Sequence, residues 1–231
     1  MKSKIVIALD TDIDKAKFII KKSEKYNFEI FKIGHLLFDT HPEIINYITL
    51  RGLKVILDLK FHDIPSVISK AVKSVLQKYK IFAFTVHSLG GKQMLDEVVK
   101  TVQEFKEKPI IFAVTILTSL LDKDLNLLGF RKKTKSTVLN LAKLAKSCGV
   151  DGVVCSPKEV KFIKQTCGKN FLTLVPGVSI SNLSKATDQQ RTSSIKEIIN
   201  SEADFIVVGR SIYESENVES ALQYLYNLIN S

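Results

Sequence analysis

The chain is short of cysteine, of long apolar runs and of acidic residues. Its 231 residues include only three cysteines, Cys148, Cys155 and Cys167. They are odd in number, widely spaced and form no C-x-x-C pair. That argues against a disulfide framework and a zinc site, and for a reducing compartment. The longest apolar stretches, such as Ile110–Val114, are far too short to span a bilayer. Met1-Lys2-Ser3-Lys4 enters a strand at once, without the apolar core or cleavage site of a signal peptide, so a cytoplasmic location is expected. No linker or shift of composition interrupts the chain, so a single domain is expected over residues 1–231. Acidic residues are outnumbered, 24 Asp and Glu against 34 Lys and Arg, for a net charge of +10. A basic surface favours anionic partners, a small phosphorylated substrate among them. The lysines are scattered, however, in groups such as Lys21-Lys22 and Arg131-Lys132-Lys133 without interleaved aromatics. This is the pattern of a solvated surface, and neither nucleic acid nor membrane is expected as a partner.

What is present is an apolar run followed by an amphipathic stretch, repeated along the chain. Strands are expected at 5–9, 30–34, 54–59, 81–86, 110–116, 152–155, 171–175 and 205–208. Helices are expected near 12–26, 42–50, 64–79, 92–105, 136–147, 158–166, 192–200 and 217–229. The strands are continuously apolar, as befits strands buried on both faces. Eight such units predict an α/β fold, a closed (β/α)8 TIM barrel. Two long loops remain, 118–135 and 177–191, and long loops in compact domains often serve function.

Barrel chemistry gathers at the carboxyl ends of the strands. The richest end is Asp58-Leu59-Lys60-Phe61-His62-Asp63-Ile64-Pro65. Strand alternation puts Asp58 and Lys60 on one face, and Pro65 suits the first turn of a helix. The plainer reading is a strand-end ion pair with Asp63 as a helix cap. Against it stands the company at the other ends: Asp10, Lys32, His87, Thr118, Ser119, Pro176-Gly177 and Gly209-Arg210. Buried charges need partners, and an alternating Lys-Asp-Lys-Asp chain would satisfy all four on the first three strands. Gly177 and Gly209 allow backbone amides to approach an anion, and Arg210 offers a planar fork, so a phosphate site is expected there. His35 and His41 read as structural or surface residues, and His87 as a polar residue of the mouth. No metal site is expected.

With these motifs on the page, the sequence resembles the bacterial type of orotidine 5′-monophosphate decarboxylase. The wording runs the whole length. It includes Ala8-Leu9-Asp10, Phe31-Lys32-Ile33-Gly34, Asp58 through Pro65, Val86-His87-Ser88-Leu89-Gly90-Gly91, Thr115-Ile116-Leu117-Thr118-Ser119, Asp188-Gln189 and Val208-Gly209-Arg210-Ser211. The resemblance implies conversion of orotidine 5′-monophosphate to UMP and CO2 without metal or cofactor. It implies Lys60 as the proton donor to C6, Asp58 beside it, and Asp63 reaching into the partner's site of a homodimer. Lys32 and Asp10 would bind the ribose, Thr118 and Ser119 the pyrimidine edge, and Pro176, Gln189, Gly209 and Arg210 would form the phosphate end. Two positions depart from the family wording. Val67 replaces a threonine whose hydrogen bond to the partner's ribose is worth about 1 kcal/mol. Ser179 replaces an arginine. A rival reading shares the barrel and the D-x-K-x-x-D spacing: the magnesium-dependent sugar-phosphate enzymes resembling 3-keto-gulonate 6-phosphate decarboxylase and hexulose phosphate synthase. A non-catalytic nucleotide-binding barrel is the alternative of a different class.

Overall fold

The computed structural model describes residues 3–180, 193–194, 198 and 201–230. The first seven strands are β1 (Lys4–Ala8), β2 (Ile30–Ile33), β3 (Lys54–Phe61), β4 (Ala83–His87), β5 (Ile110–Val114), β6 (Gly152–Val154) and β7 (Leu172–Val175). Two dipeptides, β8 (Val178–Ser179) and β9 (Ser193–Ser194), pair with each other before β10 (Phe205–Val208). Strands β1 to β7 and β10 close into one parallel barrel of eight, in the order β1-β10-β7-β6-β5-β4-β3-β2. The (β/α)8 expectation therefore holds.

The helices that follow the strands include α1 (Ile13–Glu24), α2 (His35–Thr40), α3 (Ile44–Thr49), α4 (Pro65–Lys78), α5 (Gly91–Gln103), α6 (Asp122–Leu127), α7 (Thr134–Ser147) and α8 (Val160–Cys167). Asp12 caps α1 by accepting the Lys15 N–H at 2.9 Å, and Pro65 opens α4. The expected helix over 42–50 is α3, and the short α2 precedes it in a stretch read as a connection. The expected loop 118–135 contains α6, whose Leu121 N–H is taken by Asp124 at 2.8 Å. The expected helix over 192–200 is corrected at Ser193–Ser194, which are extended and paired with β8; most of that stretch lies outside the described residues.

Strand parity divides the core in two. Ala8, Ile30, Ile56, Ala83, Phe112 and Leu174 belong to a cluster without helix residues, which is the inside of the barrel. The opposite parity, including Ile7, Phe31, Val55, Leu57, Leu59 and Phe84, packs against the helices. Each such Ile or Leu contributes about 2 kcal/mol by leaving water. At the amino-terminal ends of the strands a closed ionic knot joins α8 to β7 and β10. Buried Lys164 donates to Asp204 at 2.6 Å, and Asp204 also accepts the N–H and hydroxyl of Thr173. Every charge there is paired, which suits the face of a barrel that carries stability. No helix among the described residues is long and apolar enough to cross a membrane.

Candidate active site

The site follows from the parity of the barrel interior. Two residues beyond inward-facing Ala8, Ile30, Ile56 and Ala83 stand Asp10, Lys32, Asp58 and Thr85. A polar layer is thus stacked on an apolar one at the carboxyl mouth. Lys32 reaches Asp10 at 3.1 Å and Asp58 at 3.2 Å, and Lys60 reaches the same Asp58 oxygen at 3.1 Å. The structure brings these four side chains into one alternating chain of charge.

Lys60 arrives by an unusual backbone. Leu57 pairs with Phe84 and Phe61 with Val86, so β3 takes four steps where β4 takes two. Lys60 sits in this bulge at φ +50°, a left-handed conformation that non-glycine residues seldom adopt. The bulge frees backbone groups, and side chains satisfy them. Thr85 Oγ1 accepts the Lys60 N–H at 2.9 Å, and His35 Nε2 donates to the Leu59 carbonyl at 3.1 Å. Alternation alone foresees that Asp58 and Lys60 meet; it does not foresee the bulge.

Electrostatics keeps the chain charged. Burial works against the Lys32 ammonium, but Asp58 and Asp10 outweigh it and hold Lys32 above the ordinary lysine range. Burial likewise pushes Asp58 up, yet Lys32, Lys60 and the Thr85 hydroxyl outweigh it and leave Asp58 below the usual carboxylate value. Gly34 belongs to the same packing, since a Cβ there would lie 3.0 Å from Asp10 Oδ1.

A cavity of about 400 Å³ opens over this layer. Its floor is apolar, from Ala8, Val114, Val154, Leu174 and Val207. One wall carries Asp10, Lys32, Asp58 and Lys60; others carry Thr118, Ser119, Pro176, Gly177, Gly209, Arg210 and Tyr213. Gly177 has φ +79°, so the turn after β7 needs glycine. Volume and lining suit a small ligand with an apolar face and charged or polar groups at its edge. Asp63 does not line this cavity; it is exposed, and its Oδ1 accepts the Ile64 N–H at 2.7 Å. Gln189 lies outside the described residues. Among the described residues no three His, Cys, Asp or Glu side chains are grouped as metal ligands. Sequence reasoning missed Thr85 and Tyr213, while His35, read as structural or surface, is exposed and bonds the backbone of β3. Counting parity from Ala83 would have placed Thr85 in the polar layer.

Beside the cavity, the rings of His62 and His87 stack with centroids 5.3 Å apart. His87 Nδ1 accepts the Leu89 N–H at 3.3 Å. Burial, aided by the neighbouring charges of His62 and Lys60, pushes His87 from its ordinary 6.5 down to about 4. The unfolded chain therefore takes up a proton that the folded one refuses. Stability from this group is complete above pH 6.5 and is lost as pH falls toward about 4. Asp58 acts only below its ordinary 3.8, so the two windows separate. Urea unfolding across the upper window should show a falling midpoint in the native protein and a smaller fall in His87→Gln. Equal falls would assign the loss to other groups.

The family model described as orotidine 5′-phosphate decarboxylase / HUMPS family matches residues 3–225. The orotidine 5′-phosphate decarboxylase of Legionella pneumophila (strain Corby) is 37% identical over 228 residues, covering 97% of this chain and 98% of that protein. The protein of the same name from Teredinibacter turnerae is 39% identical over 199 residues, covering 86% of this chain and 85% of its own length. The crystal structure of orotidine 5′-phosphate decarboxylase from Lactobacillus acidophilus superposes with a TM-score of 0.84 at 32% identity, covering 99% of this chain and all of that one. A match along nearly the whole barrel, with relatives this similar end to end, means that the chain belongs to the orotidine 5′-phosphate decarboxylase / HUMPS family.

Proposed function

We propose that the protein decarboxylates orotidine 5′-monophosphate to UMP and CO2 in pyrimidine biosynthesis, without metal or organic cofactor, with Lys60 as proton donor to C6. The observation that carries this reading is the Asp10, Lys32, Asp58, Lys60 chain at one wall of a nucleotide-sized cavity. Loss of CO2 from C6 leaves an electron pair in the plane of the ring, where no π-system can take it up. Stabilisation must come from fixed charge and a ready proton. The Lys60 ammonium supplies both: its proton passes to C6, and solvent later restores it to the neutral amine. Asp58 orients the ammonium and faces the substrate carboxylate, a repulsion that ends as CO2 leaves.

Remaining roles follow the layout of the cavity. Lys32 and Asp10 bind the ribose, Thr118 and Ser119 meet the pyrimidine edge, and Pro176, Gly209, Arg210 and Gln189 form the phosphate end. Grip on the distant phosphate supplies binding energy to the reacting centre. The protein acts as a homodimer in which Asp63 enters the partner's site. In support, Asp63 is exposed away from its own cavity, and Leu36 of α2, Ile64, Val67 of α4 and Leu89, in the segments that follow β2, β3 and β4, are exposed apolar residues.

The test is the absorbance of orotidine 5′-monophosphate after adding the purified protein, with and without EDTA. Decay at the same rate in both samples is expected. Decay abolished by EDTA would remove the cofactor-free reading. No decay at all, with magnesium-dependent turnover of a phosphorylated keto sugar, would place the chain on the HUMPS side of its family.

A further inference from the structure

Thr85 sits in the apolar run of β4 and is fully buried. Its hydroxyl performs two tasks. It donates to Asp58 Oδ1 at 2.9 Å, and it accepts the backbone N–H of Lys60 at 2.9 Å. One small side chain thereby grips both the carboxylate and the backbone of the lysine beside it.

We propose that Thr85 is a positioning residue for the decarboxylation, fixing the Asp58 carboxylate and the left-handed turn at Lys60 relative to each other. The proposal rests on the reading of Lys60 as proton donor. Asp58 Oδ2 faces both lysines, at 3.2 and 3.1 Å, while Oδ1 faces Thr85. With both oxygens engaged, the carboxylate cannot rotate without breaking a contact. The register of β3 against β4 slips between Leu57 and Phe61, so the hydroxyl stands where a ladder acceptor would otherwise be. A strained residue keeps its conformation only when its surroundings over-determine it, and the Lys60 N–H has this hydroxyl to hold it. Removing the hydroxyl orphans two groups in a buried place: Asp58 Oδ1 and the Lys60 N–H. The turn at Lys60 then relaxes and its ammonium moves off the line to C6. A shift of about 1 Å in a reacting group costs on the order of 100-fold in rate.

Thr85→Val removes the hydroxyl at nearly constant volume, and Thr85→Ser keeps it. The valine variant should lose roughly 100-fold in kcat, and its KM should change by less than about threefold. The serine variant should stay within about threefold of the native enzyme in both. A readout independent of turnover is the titration of the Asp58 carboxyl carbon by NMR. Its midpoint should move to higher pH in Thr85→Val and stay in place in Thr85→Ser, which a role in packing alone would not produce. If the valine variant does not fold, Thr85→Ala is read in the same way. Native turnover with an unmoved Asp58 midpoint in the hydroxyl-free variant overturns the proposal and leaves the function standing. So does a serine variant as impaired as the valine one. If the native protein does not decarboxylate orotidine 5′-monophosphate, the functional reading falls; an unmoved Asp58 titration then overturns the Thr85 proposal, and a moved one upholds its positioning geometry.

Discussion

Lys60→Ala should lower kcat by about ten-thousandfold while changing UMP affinity by less than roughly threefold, since a placed general acid is worth about 10²–10⁴ and its charge stabilises the transition state besides. The separation of the two effects follows from where the side chain stands. Lys60 closes one end of the charge chain, and its side chain is 37% exposed to the cavity. Asp58 keeps Lys32 at 3.2 Å and Thr85 at 2.9 Å when the ammonium is gone, so the layer beneath stays satisfied. UMP carries no carboxylate at C6 and asks nothing of the proton donor. Steady-state kinetics with orotidine 5′-monophosphate and calorimetry with UMP decide the matter. A variant within tenfold of native turnover, or one that loses UMP binding in step with kcat, would remove Lys60 from the proton-donor role.

A mixture of two inactive variants should recover activity. Asp63→Ala is expected to be inactive because, on the proposed dimer, each cavity lacks its own Asp63 and borrows the partner's. In a heterodimer of Lys60→Ala with Asp63→Ala, one cavity has neither group and the other has both. Random exchange of equal amounts gives heterodimers as half of all dimers, so about one quarter of all cavities are complete. The assay is turnover before and after subunit exchange, with exchange verified by mass. Recovery near one quarter of the native rate is expected from variants that each start thousands of times lower. A mixture that exchanges and stays inactive would end the shared-site reading and return Asp63 to the surface.

The strand ends were legible because continuous apolar runs announce a two-sided parallel sheet, and the runs at β1 and β3 stop at Asp10 and Asp58 of the mouth. Asp10, Lys32 and Asp58 could be placed together from parity and strand order alone. Elements that carry little periodicity were harder. At six residues, α2 and α6 each hold too few turns to display a hydrophobic stripe, and both sit inside stretches read as connections. Thr85 escaped notice for another reason: a lone threonine between Phe84 and Val86 looks like a β-branched core residue, and its chemistry appears only once β3 bulges beside it. The bulge itself has no local signature in D-L-K-F. It arises from pairing with β4, which is a tertiary fact. Asp63 stands at the opposite limit, conspicuous in sequence and absent from the wall of its own cavity.

The backbone at Lys60 carries an evolutionary consequence. At φ +50°, asparagine or glycine would rest more easily than lysine, by about 1–2 kcal/mol in the case of glycine. Conformation and chemistry therefore pull this codon in opposite directions. A descendant lineage released from the need to turn over substrate would drift to asparagine or glycine at position 60 while keeping the barrel and its nucleotide pocket. The identity of this one residue, read across inactive descendants, would mark where in a lineage catalysis ceased to be selected.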